Sequence, residues 1–304
     1  MKFFDLSKQY SILEKKIDEA VKKVMQDSYF IGGKEVQDFE NDMAQLCNVK
    51  YCAGMNSGTD ALFLALKALN IKEGDEVITT PFTFIATAEV IANCQAKPVF
   101  VDIDPKTFNI DPLKIEEKIT EKTKAIIPVH IFGQMADMDK IIEIANKYKL
   151  FIIEDACQAI GAQYKGRMAG SIGDISAFSF FPTKNLGACA DGGAAITNNS
   201  ELAKKIFLLK NHGSSSEDKY KHLIVGTNSR LDAIQAAILR VKFRYLDEWN
   251  KKRLEIAQYY TKNLSNIKGI ECPQIDDDCT HIFHQYTLRT EKRDELVSFL
   301  KERD

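Results

Sequence analysis

The sequence predicts an α/β fold, with a large three-layer domain around a mostly parallel mixed sheet and a small C-terminal α+β domain. Short apolar runs alternate with amphipathic helical stretches, which is the pattern of strands joined by helices in a parallel sheet. The run 150–155 is almost continuously apolar, as in a strand buried on both faces. The length of 304 residues is enough for about two domains. We expect the large domain at 1–240 and the small one at 241–304.

The periodicity of apolar residues places each element in order. Helical periodicity predicts helices over about 11–27 and 35–46, from about 59, over 83–94, after 112, and over 138–149, 200–210 and 232–260. Apolar or β-branched runs predict strands at 51–55, 76–80, 97–104, 124–130, 150–155, 173–181, 192–198 and 281–289. No long helix separates 173–181 from 192–198, so we expect an antiparallel or mixed pairing there. A polar loop at 212–222 follows.

Composition and charge exclude several functional classes. Lysine plus arginine number 41 and aspartate plus glutamate 43, a net charge of −2 without the excess of basic residues typical of nucleic-acid binders. The sequence contains no run of about 18 uncharged apolar residues, so no membrane-spanning helix is predicted. The N-terminus lacks the apolar core of a signal peptide, so a cytoplasmic location is expected. An odd number of cysteines, seven, without C-x-x-C indicates reduced thiols. His281 and His284 would face opposite sides of a strand, so no metal site is predicted.

Chemistry-bearing residues follow three of the predicted strands. Gly58 and Thr59 begin a helix, where backbone N–H groups can bind an anion, although Ser57 or Thr59 could simply cap that helix. The chain has no G-x-G-x-x-G and no P-loop motif. Asp155 ends the apolar strand 150–155, either as a helix cap or as a carboxylate aimed at a cationic ring nitrogen. Lys184 follows another apolar strand among small residues, a setting that suits a Schiff-base lysine.

Six ordered motifs then identify a family resemblance. They are NSGTDAL, PFTFIAT, VDIDP, IIEDACQAIGA, SFFPTKNLG-x-x-x-DGGA and NSRLDAIQAAIL. In this order they resemble the DegT-type family of pyridoxal-phosphate (PLP) sugar aminotransferases, which have the fold-type I, aspartate aminotransferase-like architecture. The resemblance extends from FFDL near the start to HQYTLR near the end, and it makes 1–240 the PLP-binding domain.

The resemblance assigns roles to individual residues. Lys184 would hold PLP as an aldimine and shuttle the proton, and Asp155 would pair with the pyridinium nitrogen. The residues implied to contact the rest of the cofactor are Gly58, Thr59 and Ser179 at the phosphate, Gln158 near the 3-hydroxyl and Phe84 on the ring face. Asn228 would reach the phosphate of the partner subunit in a homodimer with a shared active site. Arg230 would approach the substrate or, equally, form a structural ion pair with Asp232 or another carboxylate.

The implied reaction moves an amino group from glutamate to a nucleotide-diphosphate keto sugar, for amino-sugar and surface-glycan (lipopolysaccharide) biosynthesis. HLIVGTNSRLDAIQAAIL together with FFDL-x-x-QY is similar to enzymes that act on dTDP-3-keto-6-deoxyhexoses and UDP-2-acetamido-3-keto-glucuronate, so C3 is favoured over C4. Alternatives are a non-catalytic PLP-binding or regulatory protein and a PLP-dependent sugar dehydratase, in which histidine replaces Lys184. Family members usually run longer than this chain, so we expect an incomplete small domain. Ala190 stands where glycine is common, with little effect expected.

Overall fold

The computed structural model describes residues 5–215, 218 and 220–303. Its helices are Ser7–Asp27 (α1), Gly33–Leu46 (α2), Gly58–Ala68 (α3), Ala86–Asn93 (α4), Met138–Tyr148 (α5), Ser200–Leu209 (α6), Ala233–Phe243 (α7), Leu246–Leu264 (α8) and Arg293–Lys301 (α9). Its strands are Tyr51–Met55 (β1), Glu76–Thr79 (β2), Lys97–Phe100 (β3), Thr123–Ile126 (β4), Phe151–Asp155 (β5), Gln163–Tyr164 (β6), Arg167–Met168 (β7), Ile175–Ser179 (β8) and Gly193–Thr197 (β9). Parts of the FFDL motif and of the polar loop 212–222 lie outside the described residues.

Seven strands form one sheet in the order β1-β9-β8-β5-β4-β2-β3. Within this order, each adjacent pair from β8 through β5, β4 and β2 to β3 is parallel. Strand β9 runs antiparallel to both β8 and β1. The predicted mostly parallel mixed sheet is therefore confirmed, and its antiparallel member is the GGAAITN segment. Strands β6 and β7 form a separate small hairpin.

Alternating side chains of the central strands divide the core into two clusters, one on each face of the sheet. Ile78 and Ile152 pack with apolar residues of α2, α5 and α7. Their neighbours Val77 and Ile153 pack with apolar residues of α3, α4 and α6. Helices thus cover both faces of the sheet, and the predicted three-layer architecture is confirmed.

The N-terminal helix α1 packs on α7, which lies far along the chain. Leu13 and Ile17 of α1 form a small apolar cluster with Ile238 of α7. The Ala233 N–H also donates to the Phe30 carbonyl at 2.9 Å, which ties the linker after α1 to the start of α7. Among the described residues, no helix combines the length and apolar character that a bilayer crossing requires.

The helix predicted after residue 112 is wrong. The structure has two short 3₁₀ turns there, Pro112–Lys114 and Glu116–Lys118. Ile115 is fully buried, but Leu113 is 79% exposed, so the segment has one apolar anchor and no stripe to hold a longer helix against the core.

The single helix predicted over 232–260 is two helices, α7 and α8. The Tyr245 N–H donates to the Lys242 carbonyl three residues earlier, which tightens and ends α7. The Tyr245 carbonyl then accepts the first bond of α8, from Trp249 N–H. The Tyr245 and Trp249 rings stack with centroids 5.9 Å apart, so the aromatic pair at the bend holds the change of direction.

The strand predicted at 281–289 is also wrong. Within this segment only Arg289 makes a strand-like pairing, an isolated bridge to Glu271. The preceding residues bond to a loop instead: the Ile282 N–H donates to the Gly133 carbonyl at 3.0 Å. Phe283 has φ of 44°, a left-handed conformation that no extended strand contains. The segment therefore lies along the 131–133 turn as an irregular chain.

Glu154 is a fully buried carboxylate on β5, and its side chain joins several loops. Its oxygens accept bonds from the N–H groups of Gly170 (2.9 Å), Ile172 (2.7 Å) and Gly173 (2.6 Å), and from Ser176 Oγ (3.0 Å). His130 Nε2 lies 2.9 Å from Oε2. Burial alone would raise the pKa of Glu154, but the His130 contact and the backbone donors outweigh it and lower the pKa.

We expect Glu154→Gln to lower the free energy of unfolding by about 3–5 kcal/mol, as breaking one partner of a buried polar network does. The new amide NH₂ would take the place of Oε2, so the Gly170 N–H and His130 Nε2 would lose their acceptor. Urea unfolding at neutral pH measures the loss. Glu201→Gln, at an exposed position of α6, is the control and should change stability by less than about 0.5 kcal/mol. A loss below about 1 kcal/mol for Glu154→Gln would contradict this account of the network.

Candidate active site

A cavity of about 510 Å³ lies at the carboxyl ends of the parallel strands, where ligands of open α/β sheets bind. Its wall is formed by segments that follow β1, β2, β5 and β8, and by the irregular segment near 284. Of the residues predicted for the site, Gly58, Thr59, Phe84, Asp155, Gln158, Ser179 and Lys184 all line it. Segments as far apart in sequence as 57–62 and 284–285 thus meet at one place.

Lys184 enters the cavity from the turn after β8. The backbone N–H of Lys184 donates to the Phe181 carbonyl at 2.8 Å, and this bond closes the turn in SFFPTK. The side chain is half-buried, and no described residue forms a hydrogen bond or ion pair with its Nζ. An unpaired amine in a cavity wall is available to bond with a ligand.

Asp155 is held at the end of β5, where 6% of the residue is exposed. Thr87 Oγ1 donates to Oδ2 at 2.8 Å, and the Cys157 N–H donates to Oδ1 at 3.2 Å. The Thr87 hydroxyl has one hydrogen, and it donates that hydrogen to Asp155. Thr87 Oγ1 therefore accepts the hydrogen bond from Thr83 Oγ1, 2.8 Å away. No described cation pairs with this carboxylate, which leaves it free to meet one from a ligand.

The N-terminus of α3 forms the opposite wall. Ser57 caps it by accepting from Asp60 N–H at 3.0 Å, which confirms the capping role for Ser57. The wall is narrow, because a Cβ on Gly58 would lie 2.7 Å from Cys157 Sγ and 2.9 Å from Ser179 Cβ. A Cβ on Gly193 would lie 2.2 Å from the Ser57 carbonyl carbon, so β9 also presses against this turn. The start of α3 therefore packs so closely on Cys157, Ser179 and β9 that a side chain at Gly58 or Gly193 has no room.

Phe84 and Gln158 border the cavity in different ways. Phe84 is 69% exposed, so its ring is not packed in the core. Gln158 is oriented, because its Oε1 accepts from the Phe132 N–H at 2.9 Å. This bond leaves the Gln158 Nε2 group as the donor for a ligand.

Asn228 and Arg230 do not line this cavity. The Asn228 carbonyl accepts from Asn56 Nδ2 at 3.0 Å, and Arg230 NH1 donates to Asn211 Oδ1 at 3.2 Å. The ion pair with Asp232 that was the alternative for Arg230 is not formed among the described residues. Arg230 instead borders a second cavity of about 620 Å³, next to the start of α2 and to α6.

Sequence reasoning missed several residues of the cavity wall, among them Thr87 and His284. Thr87 could have been found, since it follows the predicted site residue Phe84 by three residues in the predicted helix 83–94 and so would lie on the same face. His284 carries no local signal for the site, because only long-range packing brings it beside Lys184.

The two histidines of the 281–284 segment, His281 (buried) and His284 (half-buried), are held neutral. Burial lowers the pKa of His281 to about 4. Burial, followed by the charges of Lys184 and Arg253, lowers the pKa of His284 to about 3. The ordinary value for both is 6.5. Below about pH 6.5 these two histidines bind protons in the unfolded chain but stay neutral in the folded chain. Acid therefore lowers the free energy of unfolding.

We expect the free energy of unfolding to be steady above about pH 6.5 and to fall by about 2 kcal/mol per histidine between pH 6.5 and pH 5. This window lies above the range in which most carboxylates titrate. Urea unfolding at pH 7 and pH 5 measures the loss, and His281→Asn should remove about half of it. His222→Gln, at an exposed histidine, should leave the loss intact. Equal stability of the wild type at both pH values would contradict the prediction.

Comparison with known proteins decides the family. The model of the DegT/DnrJ/EryC1/StrS aminotransferase family matches residues 11–304. The chain belongs to this family. The match includes the whole cavity wall described above, from the start of α3 to the segment near 284.

Three members of the DegT/DnrJ/EryC1/StrS family illustrate the similarity. A "pleiotropic regulatory protein" of Geobacillus stearothermophilus is 53% identical over 300 residues, 98% of this chain and 80% of the relative. The dTDP-3-amino-3,6-dideoxy-α-D-galactopyranose transaminase of Aneurinibacillus thermoaerophilus is 47% identical, over 99% of this chain and 82% of the relative. The crystal structure of S. venezuelae DesV in complex with a ketimine intermediate superposes with a TM-score of 0.96, at 43% identity, over 99% of this chain and 81% of DesV.

The predicted family and fold are thus confirmed, and the chain is an aminotransferase of the DegT/DnrJ/EryC1/StrS family. It spans about four-fifths of the length of each of these relatives.

Proposed function

We propose that this chain is a PLP-dependent aminotransferase that moves an amino group from glutamate to a nucleotide-linked keto sugar, with C3 favoured over C4. The observation that carries the proposal is that Lys184 and Asp155 line one cavity and neither forms an ion pair with a described residue. Neither group has a structural partner of opposite charge among the described residues, so a ligand with complementary chemistry accounts for both.

The cavity wall fits PLP at three points. The N-terminus of α3 with Gly58, Thr59 and Ser179 provides N–H and hydroxyl donors for a phosphate. Asp155 provides a negative charge for a protonated ring nitrogen, and Lys184 provides an amine for an aldehyde. Bound PLP supplies an electron sink that accepts the electron pair left when the substrate Cα–H bond breaks.

The residues of the chain do the remaining work. Lys184 would hold the cofactor through its amine, and the same amine, once free, would take the Cα proton of the substrate and return it. Asp155 keeps the ring nitrogen protonated, and Thr87 keeps Asp155 in place. Gln158 would offer its amide N–H to the ring hydroxyl, and Phe84 would cover one ring face. These roles come from the family resemblance, and the presence of these side chains in one cavity wall supports them.

The substrate assignment rests on relatives. The Aneurinibacillus relative is named as a transaminase of a dTDP-3-amino sugar, which supports C3 and a nucleotide sugar. The same residues would serve a C4 keto sugar, so the position of amination is the finest part of the proposal. Glutamate as donor, and a role in lipopolysaccharide or another surface glycan, come from the family resemblance.

We propose that the active site is shared in a homodimer. Asn228 and Arg230 lie outside the cavity of their own chain, in agreement with a role in the cavity of a partner. Phe84 and Phe181 border the cavity with large exposed surfaces, 69% and 50%, that a second subunit would cover. The domain boundary at 240 and the cytoplasmic location stay predictions.

Two alternatives use the same fold. A PLP-dependent sugar dehydratase would carry histidine at the position of Lys184, and the lysine argues against it. A non-catalytic regulatory protein is suggested by the name of the Geobacillus relative. The presence of both Lys184 and Asp155 in the cavity favours catalysis over that alternative.

The absorption spectrum of the PLP-loaded protein tests the proposal. We expect a visible band that disappears on addition of glutamate and returns on addition of a keto sugar nucleotide. A band that persists in glutamate would favour the regulatory alternative, and failure to form any band would overturn the cofactor assignment. Return of the band with a dTDP-4-keto but not a dTDP-3-keto 6-deoxyhexose would show that C3 is wrong.

A further inference from the structure

His284 borders the cavity from a segment that is anchored on both sides. Arg253 NH1 donates to the carbonyls of Phe283 and His284, at 3.1 and 3.4 Å. The N–H of Gln285, the next residue, donates to the Phe132 carbonyl at 3.4 Å. The His284 ring therefore belongs to a fixed part of the cavity wall, beside Lys184.

The tautomer of His284 follows from the orientation of Asn185. The Asn185 amide nitrogen donates to Asn250 Oδ1 at 2.8 Å and to the Ile282 carbonyl at 3.1 Å. The amide oxygen therefore points at His284 Nδ1, 3.2 Å away. Because that oxygen can only accept, His284 Nδ1 must carry the hydrogen.

A neutral ring with its hydrogen on Nδ1 has a bare lone pair on Nε2. No described residue bonds to Nε2 of His284. Nor does the described part of the chain contain a buried side-chain nitrogen or oxygen without a partner, so Nε2 is open to solvent. Burial and the positive charges of Lys184 and Arg253 keep the pKa of this ring low, so the lone pair persists at neutral pH. His284, a residue of the cavity wall, thus has an uncharged, unoccupied acceptor.

Building on the proposed function, we propose that His284 Nε2 contacts the substrate, accepting a hydrogen bond from an N–H or O–H group held beside Lys184. Two sources offer this chemistry: the amino group of the amino donor and a hydroxyl of the keto sugar. His284 would then select for a substrate with a hydrogen-bond donor at this point, since a substrate without one would leave the acceptor unpaired.

Two substitutions separate this role from the structural one. In His284→Asn the amide nitrogen takes the place of Nδ1, so the bond to Asn185 can survive while the Nε2 acceptor is lost. In His284→Gln the longer side chain brings an amide oxygen near the position of Nε2. His281→Asn is the matched control, since His281 is a buried histidine three residues away that does not border the cavity.

We expect His284→Asn to raise the KM of one substrate by about 3- to 10-fold, the value of one hydrogen bond, with kcat little changed. His284→Gln should restore part of the loss, and His281→Asn should leave both KM values unchanged. A rise for glutamate in the first half-reaction identifies the amino donor as the source, and a rise for the keto sugar in the second identifies the hydroxyl. Unchanged KM values for both substrates, or an equal loss of kcat with KM unchanged, would overturn the proposal.

A second measurement needs no cofactor. Nitrogen-15 NMR of the apoprotein should show the His284 ring neutral at pH 6, with its hydrogen on Nδ1. A ring protonated at that pH, or one with its hydrogen on Nε2, would overturn the assignment of the acceptor. If the wild type forms no PLP band, the proposed function fails and the substrate contact fails with it. If the band forms and only the His284 result is negative, the proposed function stands and the substrate contact alone is wrong.

Discussion

Replacing Lys184 with alanine is expected to lower the rate of transamination by at least about 10³-fold. The variant loses the amine that bonds to the cofactor and also the base that moves the Cα proton, and proton transfer alone is worth about 10²–10⁴-fold. The visible absorption band of the PLP-loaded protein should disappear in the same variant. Steady-state rates with glutamate and the spectrum measure the two effects separately.

Lys147→Ala is the matched control for this experiment. Lys147 is an exposed lysine of α5 that pairs with Glu116 and does not line the cavity. The control should keep the band and the rate. A Lys184→Ala protein that keeps more than about a tenth of the wild-type rate would show that another residue moves the proton, and the role of Lys184 would have to be reassigned.

Asp155→Asn is expected to slow the half-reaction with glutamate by about 10²–10³-fold, the range for removing one preorganised electrostatic contact. The amide oxygen can accept from the Cys157 N–H while the amide NH₂ donates to Thr87 Oγ1, which can then donate to Thr83 Oγ1, so the local structure should hold. The negative charge that keeps the ring nitrogen protonated is gone. PLP should still bind, because the phosphate site at α3 and Lys184 remain. Stopped-flow absorbance after addition of glutamate measures the rate.

Asp139→Asn is the control, an exposed carboxylate that pairs with Lys165 and Arg167. It should leave the half-reaction unchanged. If Asp155→Asn reacts with glutamate as fast as the wild type, the carboxylate has only a structural role at the end of β5. If the variant fails to bind PLP at all, the phosphate site and Lys184 are weaker anchors than proposed.

The parts of the site that the sequence predicts are those that lie next to strand ends. Asp155 ends an apolar run, and Lys184 follows another, so periodicity alone placed both at the sheet edge where they lie. Gly58 was found in the same way. His284 could not be found by this reasoning, because its segment is irregular and its place in the wall depends on bonds to Arg253 and to the 131–133 turn.

The two wrong secondary-structure predictions have different causes. After 112 the segment has one apolar anchor, Ile115, and no apolar stripe to hold a helix against the core. At 281–289 the local pattern favoured a strand, but bonds to the distant 131–133 turn decided the outcome. The β6–β7 hairpin was missed although its signal is local. Lys165 and Gly166 form its two-residue turn, with φ of 48° and 75°, and such turns usually contain glycine. Two strands of two residues each are too short for a periodicity to register.

The position of β1 in the sheet has a consequence for synthesis on the ribosome. Among the described strands its partner is β9 alone, roughly 140 residues later in the chain, and the linker after α1 bonds to the start of α7, later still. At about 5–20 residues per second, the residues between β1 and β9 take about 7–28 s to be made. The nascent N-terminal segment therefore spends that time with an unpaired strand, and it completes the sheet only after the lysine and the carboxylate of the site have already left the ribosome.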